Sequence, residues 1–159
     1  MELLVREATD NDADLLARLT RSCWFDRIAP TSSGHAESAA KVALQLQRGG
    51  GYVLLVDEQP AGSVRWLPLE TETGVWEILR MGVLPAHRGA RLSQHLLEAV
   101  LHRAQVCEIN ELRLAVRTDQ TRLLGLYAAF GFDLAPELEY SNANPLEPAP
   151  IVMRRLLRR

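Results

Sequence analysis

Residues 77–97 carry the pattern with the clearest chemical meaning in this sequence. A strand-like run from Glu77 to Val83 is followed by a short loop, Arg88 to Ser93, and then by a helical pattern that continues through Leu97. A loop at the start of a helix presents backbone N–H groups and the positive end of the helix dipole to one place. The sequence therefore predicts a phosphate-binding site made largely from backbone groups.

Sequence evidence for other kinds of phosphate-binding or metal-binding site is weaker. The sequence contains neither a Walker A motif nor a G-x-G-x-x-G motif, which argues against nucleotide hydrolysis and hydride transfer. His95, Glu98 and His102 share a helical stripe and have metal-ligand chemistry, but the stripe lies opposite the apolar face of its helix. We therefore interpret the stripe as a solvated surface and predict no metal.

The composition is that of an ordinary globular chain. Its 159 residues suit one domain, 1–159, which is long enough to bury its own core. With 47% apolar residues and a net charge of -2, neither nucleic acid nor a membrane is indicated as a partner. Cys23 and Cys107 lack a CxxC spacing, and the first residues reach Arg6 without an apolar signal region. We expect a cytoplasmic location.

Strand-like and helix-like periodicities alternate along the chain without a break in composition. The predicted order is β-α-α-β-β-β-α-β-α-β-β, which indicates an α/β fold with a mixed sheet. The predicted strands are Leu3–Arg6, Tyr52–Val56, Ala61–Leu67, Val75–Val83, Glu111–Val116, a segment around Phe132, and Ile151–Leu156. The helices are predicted to begin after Thr9, to run through Val42 and Leu46 up to Gly49, to extend from near Arg88 toward Ile109, and to follow Asp119.

Side chains along the Val75–Val83 strand are expected to alternate between the two faces of the sheet, because the side-chain repeat of a strand is two residues. This spacing predicts one face with Trp76, Ile78, Arg80 and Gly82 and an opposite face with Glu77, Leu79, Met81 and Val83.

Two blocks of the sequence resemble the motifs of one protein family. The run 77–83, together with Pro85 and residues 88–93, resembles motif A of the GNAT superfamily of acetyl-CoA-dependent N-acetyltransferases. The run 114–132, which contains Tyr127 and ends in Phe-Gly-Phe, resembles motif B. The blocks have the expected order and separation, and the element order matches over nearly the whole chain. The resemblance implies a GNAT fold, in which a mixed central sheet is splayed in the middle and flanked by helices.

The resemblance also implies acetyl-CoA as cosubstrate and indicates which residues hold it. The 88–93 loop would bind the pyrophosphate, and backbone groups of Met81 and Val83 would hold the pantetheine arm. Gln120 and Leu123 occupy positions where the family usually has asparagine and alanine. The implied cofactor-binding residues are Met81, Gly82, Val83, Arg88, Gly89, Ala90, Arg91, Leu92, Ser93, Gln120, Leu123 and Tyr127.

Arg91 is the main departure from the family pattern, which usually has glycine at this position. We predict a helical backbone with negative φ here, which arginine adopts without strain, and an amide donor that is retained. The guanidinium would either contact a phosphate or block the site. We expect cofactor binding to persist.

The resemblance assigns catalytic roles to two residues. Glu77 occupies the position of the family's frequent general base, acting directly or through water, and Tyr127 matches the tyrosine that protonates the departing thiolate. Both residues also have a structural interpretation. Glu77 is alternatively a carboxylate at an exposed strand end or the partner of an arginine, and Tyr127 a core aromatic at helical spacing from Leu123 and Leu124.

The acceptor is the least determined part of the prediction. In GNAT relatives the acceptor groove forms around the first two helices and the last loop, where this chain supplies Trp24, Phe25 and Tyr140, with Glu77 nearby. Aromatic and acidic groups together favour an amine with an apolar body, either a small molecule or a peptide, although Trp24 and Phe25 alternatively cover the core. Many relatives are homodimers. The other function that we consider is a non-catalytic acyl-CoA-binding domain with a regulatory or partner-binding role.

Overall fold

The computed structural model describes residues 1–24, 37–89 and 91–157, with only the backbone of Trp24. The strands are β1 (Leu3–Glu7), β2 (Gly50–Val56), β3 (Gln59–Pro68), β4 (Val75–Val83), β5 (Glu111–Val116), β6 (Asp133–Leu134) and β7 (Ile151–Leu156). The helices are α1 (Ala13–Trp24), α2 (Ala39–Arg48), α3 (Ser93–Val106) and α4 (Leu123–Ala129). This order confirms the predicted fold class. Within the described ranges, no helix combines the length and apolar character needed to cross a membrane.

The seven strands form one mixed sheet in the order β1-β2-β3-β4-β5-β7-β6. All neighbours are antiparallel except β4 and β5, which run parallel and pair only at Val75–Glu77 with Glu111–Arg113. Beyond these residues, β4 remains paired with β3 and β5 with β7, but not with each other. The sheet is therefore open between the C-terminal halves of β4 and β5, as the resemblance implied.

Two apolar clusters cover the two faces of the sheet. On one face, α1 and α2 pack through Leu16, Val42 and Leu46 onto Val53 of β2. On the other face, the buried stripe of α3 packs with Tyr127 and with Trp66 and Trp76, whose stacked rings lie 5.2 Å apart between centroids. α2 thus buries Val42 and Leu46, as predicted, and α3 buries the apolar face opposite the stripe of His95, Glu98 and His102.

A β-bulge interrupts β4 in its second half. The pairing of β3 with β4 shifts register between Ser63 and Arg65, and Arg80 has a positive φ of 53°. One extra residue reverses the faces of all the side chains that follow it. The alternation predicted for this strand is therefore wrong beyond Ile78, because residues expected on opposite faces pack into one cluster: Trp76, Ile78, Met81 and Val83.

The third helix begins later and ends earlier than predicted. A short 3-10 turn spans Pro85–His87, and α3 begins only at Ser93 and ends at Val106. Gly89 and Arg91 both have positive φ, 88° and 57°. A right-handed helix cannot continue through such residues, so its start moves past Arg91.

Candidate active site

Two neighbouring cavities lie at the opening in the sheet. The inner cavity, about 490 Å³, lies between residues 78–81 of β4 and residues 114–120, and the 142–150 loop and α2 also line it. The loop cleft, about 270 Å³, lies between residues 81–83 and residues 87–89 and 91–94, with α4 on its other side. Met81, Leu123 and Tyr127 line both cavities. A molecule held in the loop cleft can therefore reach the inner cavity at these three residues.

The loop cleft brings together most of the residues predicted to bind a cofactor. Its lining includes Met81, Gly82, Val83, Arg88, Gly89, Arg91, Leu92, Ser93, Leu123 and Tyr127. Gln120 is buried and lines the inner cavity instead, and Ala90 lies outside the described residues. His87 and Arg122 also line the loop cleft, although the sequence analysis did not single them out. The cleft thus combines the N-terminus of α3 with basic side chains, which suits an anionic ligand.

Arg88 joins this loop to the first helix. Its guanidinium donates a hydrogen bond to the backbone carbonyl of Cys23, near the end of α1. A cation at this end satisfies a helix carbonyl and interacts favourably with the helix dipole. Cys23 lines the same cleft, and burial raises the pKa of its thiol to about 12, with a smaller opposing effect of Arg88. The thiol is therefore protonated at neutral pH.

Arg91 adopts a backbone conformation that the sequence analysis did not anticipate. Its φ of 57° lies in the left-handed region, where a Cβ is disfavoured by about 1–2 kcal/mol. The prediction of a negative φ is wrong because α3 begins two residues later. The family's usual glycine thus corresponds to a conformational requirement that Arg91 meets at an energetic cost.

This strain can be measured by comparing two substitutions. We expect Arg91→Gly to raise the free energy of unfolding by about 1 kcal/mol relative to Arg91→Ala, because only glycine adopts this φ without a Cβ clash. Both variants lack the guanidinium, so the difference between their free energies of unfolding reports the backbone conformation at residue 91. Urea denaturation would measure it, and equal stabilities would contradict the conformational strain.

Tyr127 is both a packed aromatic and a cavity residue. Its side chain is 8% exposed, and its ring contacts Phe132 edge to face at 6.3 Å between centroids. Burial raises the pKa of Tyr127 to about 12, and the positive charge of Arg122 opposes that shift. The phenol therefore remains protonated at neutral pH and can serve as a proton donor where the two cavities meet.

Glu77 lies in a buried position and is held by the loop before β7. It is 1% exposed, and its carboxylate accepts hydrogen bonds from Ser141 N–H (3.0 Å), from Asn142 Nδ2 (2.6 Å) and from the Ser141 hydroxyl. Tyr140 donates to the carbonyl oxygen of Ile78 at 2.7 Å. The interpretation of Glu77 as a carboxylate at an exposed strand end is wrong, because residues 140–142 cover it. We refer to these contacts as the Glu77 clamp.

The clamp shapes one wall of the inner cavity. Tyr140 and Asn142 line that cavity. In the part of the chain that the structure describes, Glu77 belongs to the lining of neither cavity. Burial and the negative charge of Glu77 together raise the pKa of Tyr140 well above its usual value. Of the other acceptor candidates, Phe25 lies outside the described residues, and only the backbone of Trp24, at the end of α1, is described.

A buried ionic cluster on the α2 side was missed by the sequence analysis. Arg65 is fully buried and donates to Glu37, to Gln45 Oε1 at 2.7 Å and to Thr20 Oγ1 at 3.3 Å. Burial lowers the pKa of Arg65, and Glu37 opposes that shift. The signal in the sequence was an arginine at the centre of the apolar β3 strand, where a charge needs a buried partner.

Comparison with known proteins gives a consistent picture. The model of the acetyltransferase (GNAT) family matches residues 14–132. A mycothiol acetyltransferase from Kineococcus radiotolerans is 34% identical over 91 residues, which cover 57% of this chain but only 30% of that protein. The match therefore spans less than a third of this relative.

Solved structures agree in fold over nearly the full length. An N-acetyltransferase, PaiA, from Thermoplasma acidophilum in complex with coenzyme A has a TM-score of 0.77 at 15% identity, covering 98% of this chain and 99% of that one. The ribosomal-protein-S18-alanine N-acetyltransferase from Escherichia coli has a TM-score of 0.76 at 14% identity, covering 99% and 96%. At these identities, the likeness concerns the fold.

Proposed function

This chain belongs to the acetyltransferase (GNAT) family, and on that premise we propose that it transfers an acetyl group from acetyl-CoA directly to a primary amine. The observation that carries the proposal is the position of Tyr127 where the loop cleft meets the inner cavity. One cavity can hold the donor and the other the acceptor, so that the thioester and the amine would meet beside a protonated phenol.

The loop cleft supports the donor half of this proposal. Acetyl-CoA carries phosphate groups, and the cleft offers Arg91 and Arg122 side chains next to the start of α3. Met81, Gly82 and Val83 line the same cleft as these basic residues and Tyr127, and the side chains of Met81 and Val83 are apolar groups that a pantetheine chain would contact. Acetyl-CoA would therefore bind with its phosphates at the loop and its thioester near Tyr127.

The proposed chemistry balances without a metal or a covalent enzyme intermediate. The amine nitrogen attacks the thioester carbonyl carbon, the C–S bond breaks, and the departing thiolate takes the hydroxyl proton of Tyr127. Of the three protons on the acceptor ammonium, one stays on the amide, one restores the Tyr127 phenol, and one leaves through the base. The overall products are the N-acetyl amine, the thiol and one released proton.

Glu77 remains our proposed base, with a constraint that its burial imposes. Because residues 140–142 cover the carboxylate, a proton from the acceptor would reach it through a relay whose last member is the Ser141 hydroxyl, which donates to Glu77 Oε1. The same contacts hold the loop that lines the inner cavity. Glu77 therefore has two proposed roles, proton acceptance and loop positioning, which mutations can separate.

Thiol release tests the proposed function directly. We expect acetyl-CoA and at least one amine from a panel of amino acids, peptides and small amines to give thiol at a rate well above hydrolysis. The second candidate, a non-catalytic acyl-CoA-binding domain, is favoured by the strained Arg91 at the family's glycine position. Calorimetric binding of acetyl-CoA without thiol release from any acceptor would support that candidate, and absence of binding would contradict both.

The remaining parts of the proposal concern location and partners. We propose a cytoplasmic enzyme, since Cys23 and Cys107 lack a disulfide or zinc-binding spacing. Its acceptor is a small-molecule or peptide amine. A homodimer is the proposed assembly, by resemblance to the family, and sedimentation velocity would test it.

A further inference from the structure

Gln45 of α2 lines the inner cavity, and a buried arginine fixes the orientation of its side-chain amide. Arg65 Nη1, from β3, donates a hydrogen bond to Gln45 Oε1 at 2.7 Å. A guanidinium has only N–H donors, so the amide must present its oxygen, and not its nitrogen, to Arg65. The NH₂ group of Gln45 is therefore the end of the amide that does not face Arg65.

Arg65 is itself held firmly by the α1 side of the fold. It is fully buried, and its Nη2 donates to the Glu37 carboxylate and to Thr20 Oγ1 at 3.3 Å. The Thr20 hydroxyl donates in turn to the backbone carbonyl of Leu16 at 2.9 Å. Moving the guanidinium would leave several buried polar groups unpaired, which is costly. The orientation of Gln45 is therefore set before any ligand binds.

The nitrogen of the Gln45 amide is open to a ligand. Gln45 is half-buried and lines the inner cavity. Within residues 1–24, 37–89 and 91–157, no protein group accepts a hydrogen bond from Gln45 Nε2. Since the oxygen is held on the Arg65 side, Gln45 can only donate to a molecule in the cavity. This position therefore favours a ligand that brings a hydrogen-bond acceptor.

Tyr140, which lines the same cavity, has the complementary property. Its hydroxyl donates its only proton to the carbonyl oxygen of Ile78 at 2.7 Å, so that the phenolic oxygen can only accept further hydrogen bonds. Tyr127, the proposed acid, also lines this cavity. An amino N–H can thus be accepted by Tyr140, while Gln45 supplies a donor to a different part of the same molecule.

We propose that the acceptor carries a carbonyl group next to its primary amine, as an amino acid amide or a peptide N-terminus does, and that Gln45 donates a hydrogen bond to this carbonyl oxygen. The inference rests on the proposed function and specifies its substrate class. It agrees with an acceptor that has an apolar body, because Leu79, Leu114 and Val116 line the same cavity. A simple alkylamine would leave the Gln45 NH₂ group without an acceptor and would be used less well.

Matched acceptors test this inference by thiol release. Leucinamide and isopentylamine share the amino group and the apolar chain, and they differ by the carboxamide. They also differ in the basicity of the amine, but that difference cancels when the leucinamide to isopentylamine ratio of kcat/KM is compared between proteins. Leucyl-alaninamide has the same carbonyl within a peptide bond, so its kcat/KM relative to leucinamide distinguishes a peptide acceptor from a single-residue acceptor.

Gln45→Glu and Gln47→Glu are the matched variants. A glutamate at position 45 keeps an oxygen for Arg65 but replaces the NH₂ group by a second oxygen, which repels a carbonyl oxygen. Gln47→Glu makes the same chemical change on the same helix. Residue 47 is exposed and lines neither cavity, and it lies about 200° around the helix axis from residue 45. It therefore controls for the added charge.

We expect the leucinamide to isopentylamine ratio to fall about tenfold in Gln45→Glu and to stay unchanged in Gln47→Glu. The KM for acetyl-CoA should be unaltered in both, since neither residue lines the loop cleft. An equal ratio in the wild type and Gln45→Glu would overturn the inference while leaving the acetyltransferase proposal intact. If no acceptor gives turnover, the proposed function fails, and a binding experiment tests Gln45 separately.

That binding experiment observes the side-chain amide of Gln45 by NMR, in the presence of CoA, which cannot acetylate an amine. The signals of Gln45 and Gln47 are assigned by their loss in the two variants. We expect leucinamide to shift the Gln45 signal but not the Gln47 signal, and isopentylamine at the same concentration to shift the Gln45 signal much less. Equal shifts with the two amines, or no shift with either, would contradict carbonyl recognition by Gln45.

Discussion

Tyr127→Phe is expected to lower kcat by about 10²–10⁴-fold, the range that a positioned general acid contributes. The substitution removes only the hydroxyl, so the contact with Phe132 and the burial of the ring are retained. The KM for acetyl-CoA should therefore change little. Thiol release under saturating donor and acceptor would measure the effect, and a kcat within twofold of the wild type would exclude Tyr127 as the acid.

The pH dependence gives a second test of this assignment. Because burial raises the pKa of Tyr127 to about 12, its phenol stays protonated below that pH, and its ionisation should not limit kcat between pH 6 and 10. Tyr52→Phe provides the matched control, since Tyr52 lies on β2, packs against Trp66 of β3 and lines neither cavity. Only Tyr127→Phe should lose activity.

Glu77→Gln is expected to lower kcat/KM about 100-fold or more. All three groups that contact the Glu77 carboxylate are donors, and an amide supplies only one acceptor oxygen and adds a competing NH₂ group. The substitution should both remove the proposed base and release the loop at Ser141 and Asn142. Steady-state kinetics with a varied acceptor would measure the loss, and near wild-type kinetics would contradict both roles.

A second substitution separates the two roles of Glu77. In the double variant Glu77→Gln with Asn142→Asp, the amide at 77 can donate to a carboxylate at 142, so the loop contact is restored in reverse. If Glu77 acts mainly by positioning the loop, the double variant should recover the acceptor KM relative to Glu77→Gln. If Glu77 is the base, kcat should stay low in both variants.

The order of elements was predictable because each element carries its own local signal. Apolar spacing defined the helix faces, Gly49 marked the end of α2, and Gly131, with a φ of 85°, marked the end of α4. The start of α3 and the bulge at Arg80 were not predictable in this way. Both depend on single residues with positive φ, Arg91 and Arg80, whose side chains give no sign of that conformation.

The residues of the candidate site were likewise predictable only where their signal is local in the sequence. The resemblance supplied the loop cleft and Tyr127, because those residues lie within two continuous blocks of sequence. The contacts around Glu77 come from a loop 64 and 65 residues away, and Arg65 meets Glu37 across 28 residues. Such pairs form only when the sheet and α1 and α2 come together. The periodicity of the sequence gives no information about such long-range pairs.

The Glu77 clamp has a consequence for protein engineering. It fixes the connection between β6 and β7 at residues 140–142 and so divides it into two shorter spans, 135–139 and 143–150. The entropy of closing a loop rises only with the logarithm of its length, by about 0.6 kcal/mol for each doubling. We therefore expect insertions and deletions in 143–150 to reshape the wall of the inner cavity without disturbing the anchor. Under the proposed function, a library confined to that span is the most direct way to change acceptor selectivity.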